Sequence, residues 1–116
     1  FGRLLGMLYH GCDDVGDAKG LAALGGGGDE DVRDGILTLP AALAIRDPEI
    51  REIFCKHDQT EEDLARTAQA ITAQLDEAEA YLDGLAAEAR EEAVAHAVNP
   101  KPLLALVHHT RQLSNW

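Results

Sequence analysis

The chain has 116 residues, of which 21 are acidic and 10 are lysine or arginine, so its formal net charge is −11. A chain of this length forms at most one domain with a modest core. The acidic excess, with no cluster of basic residues, excludes nucleic acid and anionic membrane surfaces as natural partners. No apolar run approaches the roughly 20 residues of a transmembrane helix, so we expect no stable membrane insertion.

The two cysteines, Cys12 and Cys55, are too few and too far apart for a disulfide framework. Free thiols are typical of a reducing compartment, and we expect the protein to be cytoplasmic. The apolar pattern of the first helix is already present at Phe1, the first residue. We therefore expect the chain to be part of a longer protein.

The first predicted element is an amphipathic helix over residues 1–17. Its apolar side carries Phe1, Leu4, Leu5, Leu8, Cys12 and Val15. Its opposite side carries His10, Asp13, Asp14 and Asp17, which are neighbours over two turns. Crowded carboxylates disfavour a helix unless a cation neutralises them, and carboxylate oxygens suit Mg²⁺. The pattern alone leaves two interpretations open: a metal site, or the solvated end of a helix.

The middle of the chain is predicted to contain a loop and two shorter helices. A loop is predicted over residues 18–31, because this segment contains a run of four glycines. The helical pattern resumes near Val32, and Pro40 is expected to kink or restart the helix. Asp47, which precedes a proline, starts a short helix that ends near Phe54.

The most regular pattern predicts one long helix that begins at Thr60 and carries a heptad seam. The seam consists of Leu64, Ala68, Ile71, Leu75, Ala78, Leu82, Leu85 and Ala89. Its three alanines and single β-branched residue favour packing within one helical bundle over a coiled-coil dimer. The segment from Asn99 to Pro102 ends the pattern, and a last helix is predicted over residues 103–113. No segment has a strand pattern, so the predicted fold class is all-α.

The acidic stretch is followed by a second informative segment. The DDxxD motif of Asp13, Asp14 and Asp17 precedes the glycine-rich run and then "DVRDGILTLP" over residues 31–40. This combination resembles the second aspartate-rich region of trans-isoprenyl diphosphate synthases, and the later helices resemble the C-terminal third of that family. The resemblance implies that residues 1–116 are the C-terminal part of one isoprenoid-synthase-type helical bundle.

The resemblance also implies a reaction and a cofactor. The three aspartates would act as catalytic metal ligands, holding Mg²⁺ against the diphosphate of an allylic substrate. The ions would stabilise the leaving diphosphate while isopentenyl diphosphate attacks the carbocation. Substrate-binding positions carried over from the family are His10, where the family usually has glutamine, together with Asp31 and Arg33.

The sequence departs from the family pattern at two lysines that usually contact diphosphate. One position falls within Gly25–Gly28, and the other is Ile36. Losing both lysines weakens anion binding. Lys19, at the other end of the loop, is a candidate to replace them at the substrate, although an exposed, solvated lysine is the favoured interpretation.

The family's other aspartate-rich motif does not occur in this chain. The resemblance therefore implies that an N-terminal part of the same enzyme, or a second subunit, supplies it, and that the full enzyme is a homodimer. Two alternatives stay open. The first is a class I terpene cyclase or an atypical synthase-like enzyme on the same fold, which the missing lysines favour. The second is a non-catalytic helical partner subunit that uses the heptad seam.

Overall fold

The computed structural model describes residues 1–23 and 37–115, with side chains for residues 1–20 and 37–115. Within these ranges the elements are α1 (Gly2–Ala23), α2 (Leu39–Ala44), α3 (Pro48–Phe54), α4 (Glu61–Thr72), α5 (Leu75–His96), α6 (Lys101–Arg111) and a terminal 3-10 turn (Gln112–Ser114). This part of the chain contains no strand, and the all-α prediction is confirmed. None of the described helices is both long and apolar enough to cross a bilayer.

The first helix is longer than predicted. α1 continues to Ala23, so the predicted loop is wrong for residues 18–23; its remainder, and the helix start near Val32, lie outside the described residues. Tertiary contacts explain the extension, because Gly20 is buried and Lys19 forms an ion pair with α5. These contacts outweigh the roughly 1 kcal/mol that a glycine costs inside a helix.

The two short helices begin at side-chain caps. Thr38 Oγ1 accepts a hydrogen bond from the Ala41 N–H, and Pro40 lies in the first turn of α2. Pro40 therefore lies at the start of a helix, and whether another helix precedes it falls outside the described residues. Asp47 Oδ1 accepts a hydrogen bond from the Glu49 N–H at 3.0 Å and starts α3, as predicted.

The predicted long helix is in fact two helices, so that prediction is wrong. α4 ends at Thr72, whose hydroxyl donates to the Ala68 carbonyl at 2.9 Å, a bond that bends helices. Ala73 and Gln74 form a turn, in which Gln74 has φ −93° and ψ 0°, and α5 begins at the next residue. The heptad spacing continues unchanged across the break, which is why the sequence pattern does not reveal it.

The two halves of the heptad seam pack mainly against different neighbours. α4 lies against α2 and α3, whereas α5 lies mainly against α1 and α6 and also contacts α2. The core contains Leu8, Cys12, Val15, Ala78, Leu82, Leu85, Ala86, Ala89 and Val107. The α5 half of the seam therefore packs within the chain, which agrees with the favoured interpretation.

Replacing Leu82, which is fully buried, by alanine should remove core contacts and leave a cavity. We expect the free energy of unfolding to fall by roughly 2–5 kcal/mol in urea titrations. The matched control is Leu106→Ala on α6, where the leucine is 44% exposed. Equal losses for the two variants would contradict this packing.

Candidate functional site

α1 separates an acidic face from a buried face. Asp13, Asp17 and His10 are exposed, whereas Leu8 and Val15, on the other side of the helix, are fully buried. This separation follows from the helical spacing of the sequence. The three aspartates of the motif therefore share one face, with Asp14 at its partly buried edge.

Asp14 connects α1 to the start of α2. Its Oδ2 accepts a hydrogen bond from the Leu39 N–H at 3.0 Å, a donor without a partner inside α2. Burial raises the pKa of Asp14, the Leu39 hydrogen bond opposes that shift, and the charge of Asp13 adds to it; the net pKa lies above its ordinary value. The ionised carboxylates thus repel one another, and a bound cation would relieve that repulsion.

The motif aspartates supply hard oxygen donors, but they do not form a complete metal site. Among residues 1–20 and 37–115, no group of three or more His, Cys, Asp or Glu side chains is arranged so that it could hold a metal ion. Mg²⁺ does not require one, because it commonly binds one or two carboxylates and completes its shell with water and substrate phosphates. A row of carboxylates along one accessible helix face suits that kind of coordination.

An apolar groove of about 520 Å³ lies beside the acidic face. Along α1 its lining extends from Gly2 to Asp14, a length of about 18 Å at 1.5 Å per residue. Tyr81 and Leu85 of α5 also line it, as does His10 near the acidic end. The groove has the size of a small-molecule site and places a carboxylate at one end of a long apolar surface.

Lys19 lies away from the aspartates. At 100° per residue it projects from the side of α1 opposite the acidic face. Its ammonium group contacts a carboxylate oxygen of Glu79 on α5. The structure therefore does not bring Lys19 to the acidic face. The other carried-over positions, Asp31 and Arg33, lie outside the described residues, as do Gly25–Gly28 and Ile36.

The structure assembles a polar cluster behind α1 that sequence patterns missed. Arg111 donates to Glu79 Oε2 at 2.5 Å, to Asp83 Oδ1 at 2.9 Å and to Ser114 Oγ at 2.6 Å. Desolvation raises the pKa of Glu79, but hydrogen bonds from Lys19 and Arg111 outweigh it, and the net pKa is lowered. Because these residues are far apart in the chain, no local motif marks them.

Comparison with known proteins gives one partial similarity. A stretch of 65 residues is 38% identical to solanesyl diphosphate synthase 3, chloroplastic/mitochondrial, of Arabidopsis thaliana. It covers 54% of this chain but only 15% of that synthase. No protein-family model matches the chain, and no solved structure matches it significantly. The similarity supports a relationship with trans-prenyl synthases at the level of the family.

The hydrogen bond from the Leu39 N–H to Asp14 can be tested with two substitutions, one that keeps a side-chain acceptor and one that removes it. Asp14→Asn keeps an oxygen for the Leu39 N–H, whereas Asp14→Ala removes it. We expect the alanine variant to be less stable than the asparagine variant by about 1 kcal/mol in metal-free urea unfolding. Equal stabilities would show that the hydrogen bond does not hold α2 to α1.

Glu79 should make stability dependent on pH. Its pKa is lowered in the folded state, so its ion pairs stabilise the fold above the ordinary carboxyl pKa and lose their effect as pH falls through the folded-state pKa. At neutral pH, Glu79→Gln should cost about 1–3 kcal/mol, and this cost should shrink in acid. Thermal unfolding of the unchanged protein and of Glu79→Gln, from pH 7 to pH 3, measures how this cost depends on pH.

The control is Glu52→Gln, which changes an exposed glutamate on α3. A pH-independent cost of Glu79→Gln would contradict the assigned ion pairs.

Proposed function

We propose that this chain forms part of a Mg²⁺-dependent prenyltransferase. The reaction condenses isopentenyl diphosphate with an allylic diphosphate to give a longer linear prenyl diphosphate. One observation carries the proposal: Asp14 of the DDxxD motif lines one end of an apolar groove, and Asp13 and Asp17 are exposed on the same side of α1. The partial similarity to a solanesyl diphosphate synthase supports the same substrate class.

The groove and the acidic face suit the two ends of a prenyl diphosphate. An isoprenoid tail is wholly apolar, and lining from Gly2 to Leu85 offers it a mostly apolar surface. The diphosphate end is an anion, and the chain carries a net charge of −11. Direct contact between carboxylates and diphosphate is repulsive, so divalent cations must lie between them.

The residues of this chain have separate roles in the proposed site. Asp13 and Asp17 are exposed and available to hold cations, while the Leu39 N–H orients the carboxylate of Asp14. When bound, Mg²⁺ supplies Lewis-acid stabilisation of the leaving diphosphate. In the complete site, the apolar lining of the groove, which also includes His10, would lie beside the allylic carbocation.

The complete site needs more than this chain. The second aspartate-rich motif is proposed to come from an N-terminal part of the same enzyme or from a second subunit, within a homodimer of the full enzyme. Cys12 and Cys55 are both free thiols, which supports a reducing compartment such as the cytoplasm as the place of action.

Product analysis of the complete protein tests the proposed reaction. The protein is incubated with Mg²⁺, isopentenyl diphosphate and an allylic diphosphate, and a longer prenyl diphosphate is the expected product. A hydrocarbon or alcohol would instead indicate a class I terpene cyclase. Absence of turnover, with tight binding to a second subunit, would indicate a non-catalytic partner.

Single substitutions of the exposed aspartates connect that activity to α1. Asp13→Asn and Asp17→Asn should each lower kcat on the order of 100-fold or more, because several kcal/mol of charge stabilisation depend on the cations they hold. Helix content should stay unchanged, since both side chains are exposed. The control is Asp76→Asn, in the exposed first turn of α5. Full activity in both variants would overturn the metal assignment.

A further inference from the structure

The two positions between the aspartates of the motif are both packing positions. Val15 is fully buried in the core. A Cβ atom placed on Gly16 would lie 2.8 Å from the carbonyl oxygen of Leu113 and 3.6 Å from the Cα of Ser114. Backbone atoms cannot move aside as the end of a side chain can. The terminal 3-10 turn therefore approaches α1 so closely that only glycine fits at position 16.

The turn that touches Gly16 is itself held in place. Ser114 is fully buried, and its hydroxyl accepts a hydrogen bond from Arg111 and donates to Glu79 Oε2 at 3.3 Å. Arg111 is also paired with Glu79 directly. The position of the turn is thus fixed by charged hydrogen bonds to α5 as well as by apolar contacts.

Three contacts from this region reach one stripe of α1. The Cys12 thiol donates to the Arg111 carbonyl at 3.7 Å, Gly16 meets the turn, and Lys19 pairs with Glu79. These positions are four and three residues apart, so they follow one another along a single side of the helix. Cys12 and Lys19 lie well away from the acidic face, whereas Gly16 lies at its border, about 60° around the helix from Asp13. Contacts at both ends and in the middle of the stripe oppose rotation of α1 about its axis and sliding along it.

We infer that Gly16, Glu79, Arg111 and Ser114 form a positioning device, here called the C-terminal clamp, that sets the direction in which the aspartates of α1 point. This inference rests on the proposed function. The four residues are positioning residues, because none of them is a proposed metal ligand. Metal and diphosphate sites need their groups within about 0.5 Å and 10–20° of the productive geometry, so a small rotation of α1 is enough to weaken cation binding.

The test measures Mn²⁺ binding to the complete protein, with Mn²⁺ alone as the probe and free Mn²⁺ detected by electron paramagnetic resonance. Gly16→Ala should push α1 away from the turn and weaken Mn²⁺ binding about tenfold, as loss of an outer-shell support typically does. Ser114→Ala removes only the hydroxyl and should weaken binding in the same direction, so the inference stays testable if Gly16→Ala does not fold.

Two controls separate positioning from stability. Gly84→Ala introduces the same methyl group on α5 at a position with no neighbouring heavy atom within 4 Å, and should leave Mn²⁺ affinity unchanged. Ile50→Val changes a buried core residue of α3 away from α1 and lowers the melting temperature. Its Mn²⁺ affinity should match that of the unchanged protein, even where its melting temperature falls as far as that of Ser114→Ala.

The outcomes distinguish the two proposals. If Gly16→Ala and Ser114→Ala bind Mn²⁺ as the unchanged protein does, or if Ile50→Val weakens binding equally, the clamp has only a structural role and the inference is wrong, while the metal site stands. If the unchanged protein binds no Mn²⁺, the clamp as a positioning device for cation binding is wrong, whereas the proposed function is overturned only by the product analysis described above.

Discussion

The burial of one side of α1 against α5, α6 and the terminal turn is the contact on which the described fold depends. Leu8, Cys12 and Val15 lose all exposure there, together with the middle of α5. Burial of such side chains typically contributes about 1.5–3 kcal/mol each. Because a helix has two sides, this packing also forces the aspartates outward. Stability and the placement of the candidate site thus follow from the same contact.

Repulsion among the carboxylates on the acidic face of α1 destabilises the helix, and the packing of its buried face must offset this loss. Three carboxylates within five residues repel one another, and the raised pKa of Asp14 reflects burial together with that crowding. Natural proteins often retain unfavourable charge arrangements where a site needs them. The proposed cation-dependent site for a diphosphate would give this arrangement a physical reason, and the adjacent groove would suit the apolar part of such a ligand.

Sequence patterns predicted the features that depend on neighbours along the chain. The two faces of α1 and the cap at Asp47 depend on residues within one or two turns. The patterns were wrong where distant contacts compete with local preference. α1 continues through Gly20, next to the Lys19 contact with Glu79 of α5, and the heptad helix breaks at Ala73 and Gln74, between two halves with mainly different neighbours.

The sequence by itself determined which chemical groups are available: a DDxxD motif on one side of a helix, and an apolar stripe on the other. Only the tertiary structure decided what surrounds them. It brings the Leu39 N–H to Asp14, places Tyr81 beside α1, and seats the terminal turn on Gly16. The reason is physical, since helical periodicity is a local property, whereas close approach between segments about 100 residues apart depends on the packing of the whole chain.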